Sequence, residues 1–131
     1  MASIFTKIIQ GQIPAHKIAE DDQFFAFLDI APLSPGHTLV IPKQEIDYIY
    51  DLDDATLAGL HIFGKKIGKA IQQATGCTRI SLIVAGFEVP HAHVHLVPSN
   101  SMSDLNFANK RSASQADLAA MAEKIRSFLP A

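Results

Sequence analysis

Three of the six histidines in the 131-residue chain fall within five residues, in His91-Ala92-His93-Val94-His95-Leu96-Val97, with Pro90 and Pro98 on either side. Side chains alternate between faces along an extended segment, so a strand here sets three imidazoles on one side and Ala92, Val94 and Leu96 on the other. Each proline lacks a backbone donor, and together they mark the ends of a strand running from His91 to Val97. Two chemistries suit such a row. Imidazole is the commonest zinc ligand, and alternate strand residues can share an ion that keeps one coordination position open. No cysteine or carboxylate pattern nearby completes a structural site, and Cys77 stands alone. Alternatively, a neutral imidazole attacks an electrophile such as phosphorus, while its neighbours stabilise phosphoryl oxygens and leaving group. The residues themselves leave both readings open.

The elements that must position this row follow in chain order. Ser3 to Gln10 predicts a short helix, with Ile4, Phe5, Ile8 and Ile9 at helical spacing, Ser3 as N-cap and Gly11 at the end. Ile13-Pro14 forces an extended segment, and residues 16–20 predict a short edge strand before a turn at Glu20-Asp21-Asp22. Phe24 to Ile30 predicts a strand with Phe25, Phe27 and Asp29 on one face. A loop, Ala31-Pro32-Leu33-Ser34-Pro35-Gly36, then joins Asp29 to His37-Thr38-Leu39-Val40-Ile41, a strand stopped by Pro42. Asp29 could serve chemistry or merely cap that loop, and His37 could be a satisfied buried histidine.

From Asp53 to Thr75, Leu57, Leu60, Gly64, Ile67, Ile71 and Ala74 form the stripe of one long amphipathic helix, capped by Asp53 or Asp54 and ended by Gly76. Gly59, Gly64 and Gly68 weaken it intrinsically and predict close packing against a sheet or another helix. Arg79 to Phe87 predicts a buried strand built on Ile80, Leu82, Ile83 and Val84. Ser99 to Ser112 has no clear period. Ser114 with Asp117 resembles a capping box, and Leu118, Met121, Ile125 and Phe128 give the last helix an apolar face. Runs of strands with one inserted helix and one terminal helix favour an α+β domain with a mainly antiparallel sheet. Two helices cover one sheet face well and not two, which favours a homodimer.

Composition narrows the function classes. A hydrophobic fraction of 48% with 18% charged residues excludes disorder over most of the length, and 131 residues make a single domain, 1–131. The net charge of −2 and scattered basic residues give no reason to expect nucleic-acid binding. One cysteine excludes an intramolecular disulfide, the N-terminus lacks the pattern of a secretory signal, and no apolar run approaches a membrane span. The expected location is cytoplasmic, with no membrane partner. There is no P-loop and no Gly-x-Gly-x-x-Gly, so any nucleotide is bound by other means.

The row His91-Ala92-His93-Val94-His95-Leu96-Val97 resembles the signature of the histidine triad (HIT) superfamily, His-φ-His-φ-His-φ-φ with φ apolar. Upstream, Ile4-Phe5-Thr6-Lys7-Ile8-Ile9, Ile13-Pro14-Ala15, Glu20-Asp21-Asp22, Ala26-Phe27-Leu28-Asp29-Ile30 and Pro35-Gly36-His37-Thr38-Leu39-Val40-Ile41-Pro42-Lys43 resemble the blocks of its Hint-like branch, in order. The likeness covers roughly residues 3–98, leaving 99–131 as a C-terminal extension. It implies a HIT-like fold: a sheet of about five strands, one long central helix, a short N-terminal helix and a C-terminal helix. It also implies a small-molecule nucleotide substrate, no cofactor and no metal. The activity implied is transfer or hydrolysis at the α-phosphate of a purine nucleotide phosphoramidate or dinucleoside polyphosphate, through a nucleotidyl-histidine. In that scheme His93 is the nucleophile and His95 contacts the phosphate and leaving group. His91 and His37 form a supporting relay, Asp29 accepts from ribose hydroxyls, and Phe5, Phe27 and Ile30 line the base pocket. The alternatives are a non-catalytic nucleotide-binding regulatory module and a histidine-ligated metalloenzyme.

The chain also departs from the family's pattern. Where some Hint-like proteins bind structural zinc through N-terminal cysteines, this chain has Ser3 and Thr6. Before the triad, Ala85-Gly86-Phe87-Glu88-Val89-Pro90 is shorter than the usual loop and lacks its Asn, Gln and Ser or Thr. An inward Glu88 carboxylate would repel a phosphate.

Overall fold

The run Phe24-Phe25-Ala26-Phe27-Leu28 carries apolar side chains on both faces, the pattern of a strand covered on both sides. In the computed structural model, which describes residues 2–130, it is an inner strand, buried throughout. Five strands form one antiparallel sheet: β1 (Lys17–Glu20), β2 (Phe24–Leu28), β3 (Thr38–Pro42), β4 (Arg79–Ile83) and β5 (Val94–Ser99), in the order β1-β2-β3-β5-β4. Helices α1 (Ile4–Ile9), α2 (Asp54–Thr75) and α3 (Gln115–Arg126) complete the α+β fold. Among the described residues no helix is long and apolar enough to cross a membrane.

Alternation divides the sheet into two faces. Phe24, Ala26, Leu28, Val40, Val94 and Leu96 face α2 and α3, where Leu60, Phe63, Ile67, Ile71, Leu118 and Ile125 close the main core. Phe25, Phe27, Leu39 and Ile41 face the other way, against Phe5 and Ile8 of α1. The register pairs Leu39 with His95, so the histidines lie on this second face. Helix α2 has Asp53 as N-cap, its side chain accepting from Thr56 N–H, and ends at Gly76 with φ 69°, the left-handed conformation that favours glycine. Ser114 caps α3 by accepting from Asp117 N–H, and Ser3 caps α1 by accepting from Thr6 N–H. Helix α3 is tied back to β1 by Arg126, which donates to the Lys17 carbonyl at 2.6 Å.

Several expectations need correction. The triad strand begins at Val94 rather than His91 and runs through Pro98 to Ser99. His91 lies in a bend, and Ala92 bonds to a loop rather than to a strand: Ala92 N–H donates to Ile46 O at 2.7 Å. Pro98 is tolerated inside β5 because it lies past Leu96, the last residue paired with β3, and faces Ile80 of β4 alone. Strand β4 is an edge strand, not a buried one, and Leu82 on it is 55% exposed. On α3, Ala122 is buried where Phe128 was expected and is not. Phe63 joins the α2 stripe beside Gly64. Ser99 to Ser112, without period, holds two short 3-10 turns, Met102–Leu105 and Phe107–Asn109.

The glycines of α2 divide by what surrounds them. A β-carbon at Gly59 would stand 2.8 Å from the Phe24 ring, whereas one at Gly64 would meet nothing within 4 Å. Gly59→Ala should therefore lower the urea unfolding midpoint, since displacing the buried Phe24 ring costs about 1–3 kcal/mol and outweighs a helix-propensity gain of about 1 kcal/mol.

Candidate active site

His93 stands just before β5, with 5% of its surface exposed. Its Nδ1 lies 2.7 Å from the His91 carbonyl oxygen, an acceptor only, so Nδ1 carries the proton and Nε2 has a free lone pair. The Phe5 ring meets it edge-on at 5.0 Å and the His95 ring at the same distance, which fixes its plane. It forms part of a cleft of about 370 Å³ bounded by Asp47, Tyr48, Tyr50 and Phe87. Glu88 is exposed and does not line that cleft.

His95 and His37 form a polar pair in which direction can be read from the backbone. Leu33 N–H donates to His37 Nδ1 at 3.0 Å, so the His37 proton is on Nε2, which donates to His95 Nδ1 at 2.9 Å. His95 must then hold its own proton on Nε2. That atom is the free donor of the pair. Burial pushes both histidines down from the ordinary 6.5, His37 to about 4 against the opposing pull of Asp29, and His95 to about 3. Both rings are neutral at physiological pH. Asp29 lies just past β2, with Oδ2 3.7 Å from His37 Nε2. Its Oδ1 accepts from Ala31 N–H at 2.9 Å, which is the turn-capping role, and its Oδ2 accepts from Lys110 Nζ at 2.7 Å.

His91 takes no part in that pair. Its Nε2 donates to the Pro42 carbonyl at 2.8 Å, and Ser3 Oγ donates to its Nδ1 at 2.8 Å. The ring anchors the segment, and only its backbone carbonyl serves His93. The expected relay through His91 and His37 is thus two separate devices. Ser3 N–H and Thr6 Oγ1–H both donate to Glu45 Oε1 at 2.6 Å, which holds the Glu45 carboxyl down at about 2. Neutral hydroxyls stand here in place of thiolates and are already engaged, so this set does not fit zinc.

Nor do the three triad imidazoles converge on one ion. Asp29, His37 and His95 do bring three donor atoms within 4.8 Å of one another. An ion there would have to break the His37–His95 bond and displace the Lys110 ammonium. Phe5 and Phe27 are buried against each other at 5.4 Å and belong to the second core, while Ile30 is 62% exposed and free to meet a ligand. Lys110, which bonds to Asp29, and Phe107, which meets His95 and His37, were not anticipated. A cavity of about 820 Å³ lies between the 32–36 loop and α3 and meets the site through Asp29 and His37.

The depressed histidines carry a stability signature. A base whose folded pKa lies below its unfolded value leaves the unfolded chain to take up protons first, so stability is full above about pH 6.5 and falls as pH drops toward about 4. Urea unfolding between about pH 6.5 and 5, above the range of ordinary carboxylates, should show this loss, and His37→Gln should flatten it.

Comparison with known proteins shows the family. Residues 10–102 match the HIT domain family. An adenosine 5'-monophosphoramidase from Schizosaccharomyces pombe is 40% identical over 99 residues, covering 75% of this chain and 74% of that protein. An adenylylsulfatase from Arabidopsis thaliana is 36% identical over 100 residues, covering 72% of this chain and 51% of that protein. The crystal structure of a HIT-like protein from Bartonella henselae superposes with a TM-score of 0.86 at 34% identity, covering 97% of this chain and 96% of that one. The chain, with its row of three histidines leading into β5 and its five-stranded sheet, belongs to the histidine triad family.

Proposed function

We propose that the protein is a nucleotide hydrolase or nucleotidyltransferase acting at the α-phosphate of a purine nucleotide phosphoramidate or dinucleoside polyphosphate. The observation that carries this reading is the His93 Nε2 lone pair, aimed by the bond from Nδ1–H to the His91 carbonyl. Nε2 attacks the α-phosphorus and forms a P–N bond. The bond to the leaving group breaks, and its electron pair goes with the leaving group, an amine taking its proton from solvent. His95 Nε2–H donates a hydrogen bond on the phosphate side, and the imidazolium formed on His93 is stabilised by the His91 carbonyl. Water then attacks phosphorus and returns the electron pair to Nε2. Asp29 is the acceptor for ribose hydroxyls, and Ile30 offers apolar surface to the base. The names of two relatives, an adenosine 5'-monophosphoramidase and an adenylylsulfatase, support the choice of a nucleotide hydrolase.

Incubation with an AMP phosphoramidate and with dinucleoside polyphosphates should give turnover, with a nucleotidyl adduct on His93 visible by intact mass. His93→Ala should reduce turnover to background, and His95→Ala should slow it by roughly 10²- to 10⁴-fold. AMP binding without turnover or adduct would favour the regulatory-module reading instead.

A homodimer is part of the proposal. Strand β4 presents a free backbone edge, and between it and α2 runs a groove of about 420 Å³ that includes Gly64 and Gly68, with Leu82 exposed beside it. The empty space above Gly64 suits close approach of a second copy. Sedimentation should show a dimer, and Leu82→Asp should shift it to monomer.

A further inference from the structure

The family match ends at residue 102, yet the chain beyond it returns to the active site. One end of this segment is fixed by reciprocal capping between Ser101 and Asp104, whose carboxylate also accepts from Asn100 N–H at 2.8 Å. The other end is fixed by Ala113 N–H, which donates to the Ile30 carbonyl at 3.1 Å. Between the anchors, Phe107 stands edge-on to His95 at 5.0 Å and to His37 at 6.3 Å. Lys110 passes over the Phe107 ring at 5.8 Å and places its ammonium 2.7 Å from Asp29 Oδ2.

This arrangement answers a charge problem. The cleft beside His93 is lined by Asp47 and by no lysine or arginine, and burial keeps His37 and His95 neutral. A phosphate arriving at His93 brings negative charge that nothing in that cleft balances. Among the described residues, Lys110 is the one lysine or arginine whose side chain bonds to a site residue. Without ligand it is paired with Asp29. A nucleotide brings hydroxyls to Asp29 and an anion to His93 and His95, and the flexible lysine stem lets the ammonium turn from one to the other. We infer that Lys110, carried by the segment after the triad, is the phosphate-binding cation of this site, with Phe107 as the roof that shields it. The inference rests on the nucleotide reading above.

Calorimetric binding of AMP and of adenosine to wild type, Lys110→Met and Lys110→Arg separates the possibilities. Lys110 is partly exposed, and thermal unfolding of each variant confirms that it folds. Lys110→Met should weaken AMP by roughly 10- to 100-fold, leave adenosine little changed, and Lys110→Arg should recover most of the loss. Equal weakening of both ligands, or no change in either, overturns the inference. So does tighter binding of both, which would make Lys110 a plug on Asp29. If wild type binds neither ligand, the nucleotide reading falls and takes this one with it; if wild type binds AMP and the variants do not differ from it, Lys110 alone is refuted.

Discussion

The bond from His93 Nδ1–H to the His91 carbonyl is the constraint on which the proposed chemistry depends. A carbonyl inside a sheet ladder is already taken by a neighbouring strand. The carbonyl of His91 is free because β5 begins only at Val94, and upstream of it His91 is held by Pro42 and Ser3 and Ala92 by Ile46 instead. In the proposed mechanism the late start of the strand matters because it releases one acceptor at the position where the nucleophile is to be held in a single tautomer. His37 and His95 apply the same logic in the opposite direction, with the Leu33 N–H setting the order of donors.

These directed bonds cost little because they are complete. Among the described residues no buried side-chain nitrogen or oxygen lacks a partner. Neutral imidazoles suit such a site, since burying charged ones would carry a large desolvation penalty and a protonated His95 would repel its neighbour. Beside these rings Asp29 and Lys110 carry opposite charges in a pair, with the Lys110 side chain 22% exposed.

How much of this was legible follows the range of each interaction. Alternation over Ala92, Val94 and Leu96 correctly separated core from imidazoles, and the caps Ser3, Asp53 and Ser114 marked all three helices, because these are local patterns. The helix stripe of α2 was read nearly in full for the same reason. The partnership of Lys110 with Asp29 spans 81 residues and that of Ser3 with His91 spans 88, and no periodicity encodes such pairs. The segment carrying Lys110 had no regular pattern, since 3-10 turns are fixed by capping and by what they cover rather than by a repeating face. Strand β4 looked buried from its Ile and Leu content. Which strand lies at an edge is a property of topology, and composition does not report it.

The tie from Arg126 to the Lys17 carbonyl gives the fold a temporal order. Those residues are 109 positions apart, so during synthesis all five strands leave the ribosome before the helix that covers the outermost of them. Until α3 arrives, Ile18, Ala26 and Leu28 share an open apolar surface at the β1 edge of the sheet. A nascent chain stalled before Ser114 would hold every triad histidine and yet expose that surface to chaperones or to other nascent chains.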